Sequence, residues 1–166
     1  MDKIGFGGSC HWCTEAIFQS LNGVTEVMQG WISSEGKDST FSEAVIVLFE
    51  PSRIPLEILI AIHLHTHSCT SNHSMRQKYR SAVYTFDKNQ SHLAENEILN
   101  LKDDFDKPII TRVLSFKDFK LNTENYLNYY YKNPEKAFCK NFVTPKLRIL
   151  LDRFADTVNF KKFRHD

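Results

Sequence analysis

The chain has 166 residues, 42% of them apolar, and a formal net charge of +1. That is enough for one domain with its own core, and so balanced a charge gives no global field to draw nucleic acid or an acidic membrane. No apolar run reaches membrane-spanning length and no N-terminal stretch follows a signal-peptide plan. The expected setting is therefore the cytoplasm, where four cysteines point to catalysis or metal binding rather than structural disulfides.

In chain order, residues 2–6 read as a short strand and 11–21 as the first helix, stopped by Asn22-Gly23, since glycine is the usual residue past a helix end. Val24 to Ile32 reads as a strand interrupted at Gly30, and Ser33 to Ser39 as a loop by composition. Ala44-Val45-Ile46-Val47-Leu48-Phe49 is the β-branched and aromatic run of a central strand buried on both faces, ended by Glu50-Pro51. Pro55 suits the first turn of a helix whose Leu56, Leu59, Ile60, His63 and His67 share a face.

Ser68 to Lys78 is polar and irregular and reads as a loop. Ala82 to Phe86 is a strand, Lys88 to Leu101 a helix, and Ile109 to Leu114 a further strand. Asn122 to Tyr131 reads as a tyrosine-rich helix closed by Asn133-Pro134, with Tyr126, Tyr129, Tyr130 and Tyr131 as packing residues, and Pro145 to Phe154 as a last amphipathic helix. The basic Lys161-Lys162-Phe163-Arg164 reads as a solvated terminus. With no repeat or linker, and with some neighbouring strands lacking a helix between them, the chain is expected to be one α+β domain over residues 1–166, a two-layer sandwich.

Chemistry concentrates in Gly7-Gly8-Ser9-Cys10-His11-Trp12-Cys13. A strand, a glycine turn and then a helix put Cys10 at a helix N-terminus, where unpaired N–H groups and the helix dipole favour a thiolate. Cys13, one turn on, is placed to trap an oxidised Cys10. A metal reading competes, because His63, His65, His67, Cys69 and His73 crowd into eleven residues and Cys10-x-x-Cys13 is half of a familiar zinc pattern. Against it, no second such pair exists and zinc would sequester the nucleophile. A thioredoxin-like dithiol oxidoreductase is a further alternative, with Pro108 the one candidate for the cis-proline that such a site needs. A non-catalytic binding module is a third.

The chain resembles the peptide methionine sulfoxide reductase A family. Gly8-Ser9-Cys10-His11-Trp12-Cys13 is similar to its Gly-Cys-Phe-Trp-Gly/Cys signature, and Gly30-Trp31 stands where it has Gly-Tyr. Phe41-Ser42-Glu43-Ala44-Val45 resembles His-Ala-Glu-x-Val, and Gln77-Lys78-Tyr79-Arg80-Ser81-Ala82 resembles Thr-Gln-Tyr-Arg-Ser-Ala. Asn133-Pro134-Glu135-Lys136-Ala137-Phe138-Cys139, then Val143-Thr144-Pro145-Lys146, is similar to its common ending. The ordered set covers most of the chain.

The resemblance implies a ferredoxin-like two-layer fold, a mixed sheet with helices packed on it, and reduction of methionine S-sulfoxide, free or in proteins. By it, Cys10 is the nucleophile, Glu43 the acid that protonates the oxide, and Tyr79 the hydroxyl that binds the oxide. Phe41 and Ala44 would give Glu43 an apolar setting. Trp12, with His11 and Phe41, would line the pocket for the methionyl methyl group. Cys13 is the favoured resolving thiol. Cys139, on the C-terminal segment 135–166, is the alternative and would have to be carried in. Cys69 is a bystander. No cofactor or metal is implied; thioredoxin, or dithiothreitol, supplies electrons. The chain departs from the family at His11 (phenylalanine in the family), at His73-Ser74 (Asn-Asp), in a short segment before Glu43, and in lacking a second oxide-binding tyrosine.

Overall fold

The computed structural model describes residues 1–133, 135–136 and 139–159, with nothing said of the Phe142 side chain. Pro134, Ala137, Phe138 and the basic tail at 161–164 lie outside the described residues. The chain runs β1 (Asp2–Gly7), α1 (His11–Gln19), β2 (Val24–Ser33), β3 (Ser42–Phe49), α2 (Leu56–Thr66), β4 (Ala82–Thr85), α3 (Lys88–Asn100), β5 (Arg112–Ser115), β6 (Asp118–Leu121), α4 (Tyr129–Lys132) and α5 (Thr144–Phe154). The six strands form one sheet in the order β5-β4-β1-β3-β2-β6. Every pairing is antiparallel except β4 with β5, so the sheet is mixed.

The apolar run of β3 is central, as its composition requires, and its period of two divides it between two faces. Val45, Val47 and Phe49 join Ile4, Phe6 and Val83 in the main core under the helices, whereas Ala44 and Ile46 join Ile32, Ala82 and Tyr84 on the reverse face. Phe6 stacks on Phe18 of α1 with ring centroids 4.7 Å apart. Burying each such ring contributes about 1.5–3 kcal/mol, which ties the helix to the strand that leads into it. The helix α2 is apolar around most of its girth because it touches α3 and α5 on its outer side.

Several sequence expectations change. Helix α1 ends at Gln19, before Gly23. Its closing groups meet a returning C-terminal segment instead: Asn22 N–H donates to Thr157 O at 2.8 Å, and Leu21 bridges Val158. Gly30 does not interrupt β2. It lies between β3 and β6, paired with Ala44 and Leu121, where a Cβ would run into the Lys120 carbonyl. The strand expected from Ile109 begins at Arg112, because the Ile110 N–H is taken by Cys69 O at 2.7 Å. Strand β6 carries no expectation from sequence. The expected helix over 122–131 is two short turns, 3₁₀ at Glu124–Tyr126 and α4, broken at Asn128 with φ +57°.

Gly30→Ala should therefore separate β6 from β2. The expected loss is about 1–3 kcal/mol, the usual cost of forcing extra volume into a packed site. Urea unfolding should show a lower midpoint with the same slope; an unchanged midpoint would mean that the Lys120 strand yields freely.

Candidate functional site

The turn between β1 and α1 fixes the site. Gly8 has φ +144°, a backbone region open to glycine, and a Cβ there would lie 2.5 Å from the His67 ring. Burial holds His63 down at about 3, so the ring is neutral, and its Nε2–H donates to Gly7 O at 2.8 Å. The Arg76 guanidinium donates to Gly8 O at 2.7 Å, Tyr79 O at 2.9 Å, Ser68 O at 2.6 Å and Ser71 O at 2.8 Å. One side chain thus joins the irregular 68–79 loop to the turn. Cys10 follows as the N-cap of α1, its carbonyl accepting from the Cys13 and Thr14 N–H groups.

Cys10 and Cys13, one helical turn apart, influence each other's ionisation in the sense opposite to expectation. The Trp12 N–H does favour a thiolate on Cys10, as a helix start should, but donation to Cys13, burial and the nearby Cys13 and Glu43 charges outweigh it and push the Cys10 thiol up. The hydrogen bond from Cys10 pulls Cys13 down, and Lys146 reinforces it. Within the pair, negative charge is thus favoured at Cys13 over Cys10. Lys146 reaches this place from α5, its ammonium donating to Thr66 O at 2.7 Å at the end of α2. Cys139 opens a π-helical turn, Cys139–Val143, that packs on α1. It is buried and interacts electrostatically with both Cys10 and Cys13. A thiol expected to be carried in thus lies close enough to the pair to feel its charges.

Glu43 and Tyr79 come to the same end of the sheet. Glu43 is buried; its Oε1 accepts the His11 N–H at 3.3 Å and lies 3.3 Å from His11 Nε2, and its Oε2 is 3.7 Å from Lys78 Nζ. The Lys78 ammonium sits 5.2 Å above the Tyr79 ring. Hydrogen bonding with Tyr79, followed by the charges of Tyr79 and Glu43, holds the Lys78 ammonium above its ordinary range. The expected apolar setting of Glu43 is corrected: its partners are an imidazole, a backbone N–H and an ammonium, while Phe41 is 45% exposed. Phe41 lines a groove of about 470 Å³ with Trp31, Lys120, Leu121, Asn122 and Thr123. A larger cleft, about 530 Å³, lies beyond the far end of α1 and touches none of the expected site residues.

Trp12 stacks on Tyr129 at 4.0 Å and on Tyr126 at 5.7 Å. Tyr129 is held by Glu15, buried in α1, whose carboxylate accepts the Asn128 and Tyr129 N–H groups at 3.0 and 3.2 Å, and Tyr126 by Gln29, whose amide donates to its carbonyl at 2.9 Å. They pack, as expected, and what they pack on is a site residue. The histidine cluster disperses. His63 and His67 bind backbone, His67 also Ser81, His65 faces Asp104 at 3.1 Å, and the His73 Nδ1 accepts the Met75 N–H. Among the described residues no group of three His, Cys, Asp or Glu is placed to hold a metal ion. Cys69 is buried apart, its thiol pushed up to about 11 by burial.

Arg76, Lys146, Trp31 and Asn122 are the site neighbours that sequence reasoning missed. A strand register would have signalled Trp31, which pairs directly with Glu43. The others depend on loop and helix packing. Lys146→Met should raise the pH at which the thiol pair ionises, because its cation favours the charged form at Cys13. Thiolate absorbance near 240 nm should appear at higher pH, and alkylation at pH 7.5 should slow severalfold. An unchanged titration would remove Lys146 from the site.

A family model described as peptide methionine sulfoxide reductase matches residues 2–157. A peptide methionine sulfoxide reductase MsrA of Trichodesmium erythraeum is 31% identical over 175 aligned positions, covering 96% of this chain and 99% of its own. Among solved structures, Mxr1 from Saccharomyces cerevisiae in reduced form has a TM-score of 0.75 at 21% identity, covering 83% of this chain and 88% of that one. Mxr1 in complex with Trx2 has a TM-score of 0.60 at 20% identity, covering 77% and 84%. A match that spans nearly every strand and helix, from β1 to the turn after α5, makes this chain a member of the peptide methionine sulfoxide reductase family.

Proposed function

We propose that the chain, acting as a single catalytic domain, reduces methionine S-sulfoxide, free or in proteins, to methionine with electrons from an external thiol. Family membership supports the reaction class. The observation that carries the residue assignment is Cys10 at the N-cap of α1, with Cys13 one turn on and the buried Glu43 accepting the N–H of the next residue, His11, at 3.3 Å.

Cys10 gives its proton to Cys13 when Cys13 is ionised, the form that the Cys10 thiol and Lys146 favour. The Cys10 thiolate then attacks the sulfoxide sulfur while Glu43 protonates the oxide, methionine leaves, and Cys10 becomes a sulfenic acid. Cys13, now a thiol, attacks that sulfur; the disulfide forms and the hydroxyl departs with the Cys13 proton as water. The substrate sulfur gains two electrons and the two cysteines lose two. One proton of the water comes from Glu43 and one from the thiol pair. Tyr79 hydrogen-bonds the oxide, Trp12 walls the methyl group, and His11 and Phe41 border the pocket. Exposed Phe41, Leu121 and Tyr126 give this end an apolar rim suited to a protein segment. Thioredoxin, or dithiothreitol in its place, restores the dithiol, and no step calls on a metal or prosthetic group. Four free cysteines suit a reducing, cytoplasmic setting; among the described residues no helix is long and apolar enough to cross a membrane.

The test is incubation with each epimer of a methionine sulfoxide peptide under dithiothreitol, following methionine. The S epimer should be consumed and the R epimer left. Cys10→Ser should abolish the reaction, and substantial residual turnover would remove the mechanism. Glu43→Gln should slow the chemical step by roughly two to four orders of magnitude.

The resolving thiol has its own signature. Cys13→Ser should lose turnover with thioredoxin but keep it with dithiothreitol, which reduces the sulfenic acid directly, and Cys139→Ser should retain most of both. Mass spectrometry after one turnover without reductant should find a Cys10–Cys13 link. A dominant Cys10–Cys139 link would reverse the assignment.

A further inference from the structure

The first residue of α1 is a buried imidazole at the centre of a hydrogen-bond chain whose direction is set by the backbone. Gln29 Nε2 donates to Tyr126 O at 2.9 Å, which leaves its Oε1 as an acceptor. Asn122 Nδ2 donates to that Oε1 at 2.6 Å, while Asn122 Oδ1 accepts the Thr123 N–H at 2.8 Å. Both amides are therefore oriented by main-chain partners that have only one hydrogen-bonding sense. The second hydrogen of Asn122 Nδ2 points to His11 Nε2 at 3.4 Å. On the other side of the ring, Nδ1 lies 3.1 Å from Gly30 O, which only accepts. The neutral ring must then carry its hydrogen on Nδ1 and a lone pair on Nε2.

That lone pair also faces Glu43 Oε1 at 3.3 Å. Two electron-rich atoms at that distance in a buried site repel unless a proton lies between them. Trp31 closes the site edge-on, its ring centroid 5.1 Å from that of His11. Among the described residues, the charged and titratable groups facing the pair are Lys78 from the 68–79 loop, Tyr79 beside it, and Cys10 and Cys13 from the start of α1. We propose that His11 is a positioning residue for Glu43, an imidazole locked in the Nδ1–H tautomer whose Nε2 shares the proton that Glu43 gives to the oxide. Burial holds the ring below its ordinary range in spite of the neighbouring carboxylate, so it stays the acceptor at neutral pH. The proton moves from the pair to the sulfoxide oxygen, and the pair is refilled from solvent after water leaves. This role rests on Glu43 being the acid of the proposed reaction.

Two measurements separate the two claims. Nitrogen-15 NMR of the histidine side chains, run without substrate, should show His11 as the Nδ1–H tautomer at pH 7.5, with the Nε2 resonance displaced in Glu43→Gln. An Nε2–H tautomer, or an Nε2 signal indifferent to Glu43→Gln, overturns the proposal whether or not the chain reduces sulfoxides. In the S-sulfoxide assay, His11→Phe removes the acceptor. The alkaline fall in kcat/KM should then begin about one pH unit lower than in the unsubstituted chain, the equivalent of one hydrogen bond. An unmoved profile in a folded variant also overturns it. Failure of the sulfoxide assay in the unsubstituted chain instead counts against the proposed reaction.

Discussion

The placement of Cys10 depends on the closeness of two glycines to a histidine pair. Gly8 lies against the His67 ring in a conformation that other residues rarely adopt, and Gly7 O takes the His63 N–H. The two rings stack at 4.2 Å, and the His67 Nε2 accepts from Ser81 at 2.8 Å, which is itself bonded to Thr111. Helix α2, strand β4 and the approach to β5 are thereby tied to the turn that precedes the nucleophile. The histidines that looked like metal ligands are the floor of the site. Their neutrality, imposed by burial, lets each ring bond backbone or hydroxyl without bringing an unpaired charge into the core.

Two arginines extend the same logic to segments without regular structure. Arg76 satisfies four carbonyls between Gly8 and Tyr79. The buried Arg80 bonds Tyr84 Oη at 3.1 Å, Ile32 O at 3.2 Å and Thr40 O at 3.0 Å on the reverse face of the sheet. A buried carbonyl without a donor costs about 1–3 kcal/mol, so each guanidinium replaces several turns of helix or rungs of sheet as the means of holding a loop. This is why residues 34–41 and 68–79, polar and irregular in sequence, place Phe41 and Tyr79 on a rigid frame.

Elements with a strong pattern were legible: β3 from its β-branched run, α3 over nearly its whole span, where Asp87 proves to cap it by taking the Gln90 N–H at 2.8 Å, and α5 from its amphipathic run after Pro145. What was not legible depended on partners distant in sequence. The four residues of β6 have no pattern long enough to read and exist because β2 offers an edge. The tyrosine-rich stretch breaks at Asn128 because a carboxylate 113 residues earlier claims its N–H. In the site, Cys10, Cys13, Glu43 and Tyr79 were marked by motif, but the place of the charge was not. A helix start argues for a thiolate at Cys10, and only burial and the approach of Cys13 and Glu43 show why its thiol is pushed up instead.

The division of charge has a chemical use. Cys10, Cys13 and Glu43 are three acidic groups in one partly buried space, and like charges disfavour one another. An ionised Glu43 helps to push the Cys10 thiol up, and so does the charge on Cys13. When Glu43 carries its proton that penalty on Cys10 is lifted, so in the proposed mechanism the state in which the acid is ready is also the state in which Cys10 ionises most easily. Lys146 favours negative charge at Cys13, and Lys78 lies over the carboxyl from the solvent side. The His11 lone pair works in the same direction. By facing Oε1 it makes the bare carboxylate the less favoured partner and keeps the proton in the pair until the oxide takes it. In the proposed reaction the two groups are thus linked by electrostatics, since a proton on Glu43 eases the ionisation of Cys10.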